Sequence, residues 1–193
     1  TYVGSKEPRH VKEYILTDTL EVKHLDICKS PAIERTFTEI LSNAVDNALR
    51  FNFEPDNTLR TKTIKVTMDL GSGELSIWND GAFIPISKDN TESIYNHSLI
   101  FGHLRSSSNY DDKKVRFVSG RNGFGSKLTN VFSSTFEVTG IDPERNLKLT
   151  QRWTNNMQQT SGAKVLKSTI KTGSTLIRWM LDFTQFKSVT EYT

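Results

Sequence analysis

The chain has 193 residues, which at about 150 residues per domain reads as one domain, long enough to bury a core without staples. Its 25 Lys and Arg against 22 Asp and Glu leave a net charge of +3, a mixed surface rather than the strong excess of a dedicated nucleic-acid arm. A single cysteine, Cys28, excludes an internal disulfide and a Cys-cluster zinc site and suits a reducing compartment; the scattered histidines have no zinc-ligand spacing, and no apolar run approaches the about 18 residues of a membrane span. There is no signal peptide pattern, and a start at Thr1-Tyr2-Val3-Gly4 without Met reads as a piece of a longer protein.

Residues 1–30 are polar with short apolar alternations and read as extended segments. Residues 31–50 read as a helix: Pro31 suits its first turn, and Ile33, Phe37, Ile40, Leu41, Ala44, Val45 and Ala48 form an apolar stripe. Pro55-Asp56-Asn57 marks a loop. Residues 64–70 alternate as a half-buried strand, Gly71-Ser72-Gly73 turns the chain, and residues 75–79 return as the second strand of a hairpin. Residues 80–120 read as loop and short helix, a length that in a compact domain points to a functional lid. A helix over 126–133, a hairpin of 135–139 with 147–154, and strands over 165–169 and 175–180 complete the pattern. The expected fold is α/β: a two-layer sandwich in which helices cover a mixed, mostly antiparallel sheet.

The polar face of the first helix is unusual. At about 100° per residue, Glu39, Asn43, Asp46, Asn47 and Arg50 fall on one stripe about 100° wide, opposite the apolar one. A merely solvated face favours Glu, Lys and Gln, because Asn and Asp side chains compete for the backbone. Their presence here points to hydrogen bonding or ion coordination. The Asn43 amide oxygen is a hard ligand suited to Mg²⁺, and Glu39 one turn earlier can act on a water as general base.

Two loops add to this. Gly120-Arg121-Asn122-Gly123-Phe124-Gly125 runs into the helical Ser126-Lys127-Leu128. Glycines there admit a ligand close to the backbone, and free N–H groups at the helix start favour phosphate. The run matches neither the Walker A loop nor the G-x-G-x-x-G dinucleotide pattern, and a plain glycine-rich helix cap is equally compatible with it. Trp78-Asn79-Asp80-Gly81 leaves a strand at an Asp-Gly pair; it reads as an ordinary turn or as a carboxylate that accepts a hydrogen bond from an adenine amino group. The polar segment of residues 105–112 is either a solvated loop or a ribose and phosphate contact.

Taken in order, residues 39–47, 79–85 and 120–127 resemble the GHKL ATPases, the group that includes gyrase-type topoisomerases, heat-shock chaperones, MutL and histidine kinases. Leu99-Ile100-Phe101-Gly102, Ser107-Ser108-Asn109-Tyr110-Asp111-Asp112, the Gly120–Leu128 run and Trp153-Thr154-Asn155-Asn156-Met157 resemble the ATPase domain of eukaryotic-type DNA topoisomerase II, over essentially the whole chain. The resemblance implies the GHKL fold across residues 1–193, without the family's N-terminal arm, transducer or DNA-cleavage core. It implies ATP and Mg²⁺ as ligands, with Glu39 as general base and Asn43 as the Mg²⁺ ligand. Asp80 would recognise adenine, with Gly81 and Ile84 beside it and Thr175 close by; Asp46, Asn47, Arg50, Ser107, Ser108 and Asn109 would serve ribose and phosphates. Gly120, Arg121, Asn122, Gly123, Phe124, Gly125 and Lys127 would form the phosphate-binding lid. It further implies a nuclear or organellar enzyme that dimerises and handles duplex DNA through its other domains, this piece alone being monomeric, with no membrane partner. A chaperone of the same fold, or a nucleotide-binding module that no longer hydrolyses, is the alternative. One departure is Phe83, where the family has Gly: its ring would either crowd the adenine pocket or pack outward.

Overall fold

In the computed structural model, residues 3–52, 59–90, 93–103 and 124–186 are described. Two strands, β1 (Arg9–Leu16) and β2 (Val22–Lys29), pair antiparallel as a ribbon of their own. Helix α1 (Pro31–Asn52) follows, then β3 (Ile64–Asp69), β4 (Glu74–Asp80), α2 (Asn96–Gly102) and α3 (Gly125–Val131). Strands β5 (Ser133–Asp142), β6 (Leu147–Thr154), β7 (Gln159–Thr160), β8 (Lys164–Lys167) and β9 (Ser174–Leu181) complete the chain. The main sheet has the order β3-β4-β9-β5-β6-β7, with β8 also on β6, and its pairings among the described residues are all antiparallel.

Burial alternates along β4, with Leu75, Ile77 and Asn79 inward, and this alternation divides the sheet into a dry face and a wet one. On the dry side, Leu75, Phe136, Val138, Leu149, Ile177 and Trp179 meet Ala32, Ile40 and Ala44 of α1 and Phe101 of α2. Burial of each large side chain contributes about 1.5–3 kcal/mol. On the wet side a cross-strand ladder runs from Arg152 to Glu137 at 3.0 Å and on to Arg178 at 3.6 Å. The result is the expected two-layer sandwich.

The line of α1 that meets the core is Ala32, Thr36, Ile40 and Ala44. Helix α3 crosses closely at Thr36 on this line: the Thr129 hydroxyl donates to the Thr36 carbonyl at 2.9 Å. Val45, expected in the apolar stripe, is 38% exposed, since it lies one residue past Ala44 and turns away from the sheet. Helix α3 stops two residues earlier than expected. Ser133 already pairs with Leu181 in the sheet, and its hydroxyl closes the helix on the Thr129 carbonyl at 2.6 Å. β8 ends at Lys167, short of the expected residue 169, although one more bond in the same register, from Ser168 N–H to the Asn146 carbonyl, follows it.

Candidate nucleotide site at the mouth of the sheet

Helix α1 carries the polar stripe along the side that faces α3 and the loop after β4. Glu39, Asn43 and Asn47 are half-buried there, whereas Asp46 and Arg50 are exposed at its outer margin. The Glu39 side chain is only 14% exposed. It lies directly against Gly125, the first residue of α3: a Cβ placed there would run into the Glu39 carboxylate and come within 3.1 Å of the Glu39 Cβ. The last glycine of the glycine-rich run and the acidic residue of the stripe, 86 positions apart by subtraction (125 − 39), are thus in contact. Arg35 Nη2 stands 2.6 Å from Glu39 Oε1, a partner the sequence reading did not single out. Its signal was available as an i, i+4 pair.

One turn beyond Asn43, the Asn47 amide donates to the Ala82 carbonyl at 3.1 Å and ties α1 to the loop after β4. That loop begins at Asp80. Its Oδ1 accepts the backbone N–H groups of Lys62 and Thr63, both at 2.8 Å, and the Thr61 hydroxyl donates to its carbonyl at 2.9 Å. Gly81 follows at φ +87°, a conformation open to glycine, and a Cβ there would strike the Leu59 and Arg60 carbonyls. Its N–H reaches the Gly173 carbonyl at 2.9 Å. Thr175, buried, lies opposite Asn79 on the neighbouring β9. Phe83, half-buried, lays its ring over Gly173; the bulk at 83 is matched by the missing side chain at 173. Ile84 packs on the edge of the core.

Phe124 is 46% exposed just before α3, and Lys127 is half-buried within it. Ser107, Ser108, Asn109, Gly120, Arg121, Asn122 and Gly123 lie outside the described residues. The structure therefore brings together three segments far apart in the chain: the α1 stripe, the Asp80 turn with Thr175 across the ladder, and the start of α3.

A sheet under three helices, with an acidic residue of the long helix beneath a glycine that opens another, is the architecture of the GHKL ATPases. The 43K ATPase domain of Thermus thermophilus gyrase B, solved with an aminocoumarin, shares the fold at a TM-score of 0.62 over 84% of this chain and 37% of that one, with 18% identity. Nearer relatives narrow the class. The DNA topoisomerase 2 of Invertebrate iridescent virus 6 is 44% identical over 94% of this chain, and the ATPase region of Saccharomyces cerevisiae topoisomerase II matches at a TM-score of 0.86 with 34% identity over the whole of it. No protein-family model matches the chain. The chain belongs to the DNA topoisomerase II family and corresponds to its ATPase region. It spans 16% of the viral relative and 49% of the yeast ATPase-region chain.

Proposed function

We propose that the chain binds and hydrolyses ATP as the nucleotide-dependent part of a type II topoisomerase, in which hydrolysis drives gate closure for DNA strand passage. One observation carries this reading: the Glu39 carboxylate sits beneath Gly125, where the glycine-rich run enters α3, with Asn43 one turn along the same helix face. A phosphate group received at the start of α3 would stand over that carboxylate. In the proposed mechanism Glu39 takes the proton from the attacking water as the water adds to the terminal phosphorus and the bridging oxygen leaves with the diphosphate.

The donor set fits a magnesium nucleotide. Among the described residues no group of three or more His, Cys, Asp or Glu could enclose a metal, whereas a single amide oxygen suits an ion held mainly by phosphates and water. Asn43 would be that ligand. When bound, the ion offsets phosphate charge. Asp80 would accept the adenine amino hydrogen through the oxygen not engaged by Lys62 and Thr63, with Gly81, Ile84 and Thr175 around the base. Asp46, Asn47 and Arg50, with Ser107, Ser108 and Asn109, would meet ribose and phosphates; Gly120, Arg121, Asn122, Gly123, Phe124 and Lys127 would close over them. The full-length enzyme would act on duplex DNA as a homodimer in the nucleus or another DNA-containing compartment. No helix among the described residues is long and apolar enough to cross a membrane.

The test is Glu39→Gln in the full-length protein. It should bind a non-hydrolysable ATP analogue normally and lose about 10²- to 10⁴-fold in turnover. Turnover at the unmodified rate would remove Glu39 from the chemistry.

A further inference from the structure

We propose that Arg35 is a positioning residue for Glu39: its guanidinium fixes the plane of the carboxylate that receives the proton. The proposal rests on the reading of Glu39 as general base. Arg35 Nη2 and Glu39 Oε1 are 2.6 Å apart, a charge-assisted contact one helical turn long. Its two ends are unequal, since the Glu39 side chain is 14% exposed and that of Arg35 46% exposed. Gly125 confines the carboxylate from the other side. A glutamate on a helix has three side-chain torsions, and here a contact on one side and an ion pair on the other restrict them.

Helix stability does not account for the pair. On an isolated helix the favourable order places the acid N-terminal to the base, and here the order is reversed. A cation in the N-terminal part of α1 also opposes the helix dipole, whereas Glu34 in the first turn complements it. An i, i+4 ion pair whose cation is itself exposed is in any case a minor stabilising element. What the contact does supply is direction. A guanidinium presents a planar fork of donors, so it sets the rotation of the carboxylate as well as its position.

The experiment uses the full-length protein and four variants: Arg35→Met, Arg35→Lys, Glu39→Gln and the double variant Arg35→Met with Glu39→Gln. Steady-state turnover, calorimetric affinity for a non-hydrolysable ATP analogue, and the thermal midpoint are read for each. Misplacement of a reacting group by about 1 Å can cost about 10²-fold. Arg35→Met should therefore lose about that factor in turnover while analogue affinity and thermal midpoint stay unchanged. Arg35→Lys should recover much of the loss. In the Glu39→Gln background Arg35→Met should have no further effect, because it acts through the carboxylate already removed. Unchanged turnover in Arg35→Met, weakened analogue binding, or an equal further loss in the double variant would overturn the proposal. Should Glu39→Gln itself stay active, it is the reading of Glu39 that fails; if Glu39→Gln is inactive while Arg35→Met is not, only the role of Arg35 fails.

Discussion

His97 is wholly buried on α2, and among the described residues neither of its ring nitrogens has a hydrogen-bond partner. Its ring lies over Gly140 of β5, where a Cβ would come within 3.1 Å of Cε1 and 3.2 Å of Cδ2. Burial lowers its pKa from 6.5 to about 4, against an opposing pull from the charge of Asp142. Above 6.5 the ring is neutral in both the folded and unfolded chain, and stability is complete. Between 6.5 and about 4 the unfolded chain takes up a proton that the folded chain refuses, so stability falls with pH. Below about 4 both forms are charged and the loss levels off. The interval from 6.5 to about 4, at about 1.4 kcal/mol per pH unit, amounts to a loss of about 3 kcal/mol. Urea unfolding at stepped pH, on the chain and on His97→Met, measures it. Met is unbranched and adaptable, and it removes both the titration and the unpartnered nitrogens. The variant should match or exceed the unmodified chain at neutral pH and lose markedly less stability toward pH 4. Parallel curves for the two proteins would refute the assignment of this acid sensitivity to His97.

Gly125→Ala should displace Glu39, because the added carbon meets not only the mobile carboxylate but also the Glu39 Cβ at 3.1 Å. Overpacking of this kind costs about 1–3 kcal/mol, so denaturant unfolding should show that loss, and turnover should fall with it; an unchanged midpoint would mean that α3 does not rest on Glu39 as described. Asp80→Ala removes the acceptor of two backbone hydrogen bonds at 2.8 Å, each contributing about 0.5–1.5 kcal/mol. Calorimetry should also show about 5- to 150-fold weaker ATP binding, and in the unmodified protein a preference for ATP over GTP; equal affinities for the two nucleotides would rule out the adenine contact.

Much of this arrangement was readable from residue order because it rests on local chemistry. The β6 strand runs over residues 147–154 as its alternation indicated, and the helix from Pro31 begins where proline suits the first turn. The α1 stripe was legible through its odd composition, and Glu39, Asn43 and Asn47 on it are half-buried. What the order of residues did not reveal depends on contacts between distant segments. Nothing in the local pattern around Gly125 points to Glu39, and nothing near Asp80 points to the Lys62 and Thr63 amides that orient it. Likewise, the sequence left Phe83 either crowding the adenine pocket or packing outward, and only the fold shows its ring lying over Gly173. Asp46 and Arg50, on the same stripe, are exposed, a difference that periodicity alone does not show.

Among the described residues the ribbon of β1 and β2 takes its sheet hydrogen bonds only from itself, and Tyr14, Leu16, Leu20 and Val22 toward its turn are each more than 60% exposed. Its opening therefore disturbs few of the contacts that hold the main sheet and helices together. Amide exchange along these two strands should report a local free energy well below that of global unfolding. For the same reason the ribbon is where this chain can vary in length and composition at least cost to the site. Selection acting on the outer surface there would be decoupled from selection acting on the nucleotide pocket.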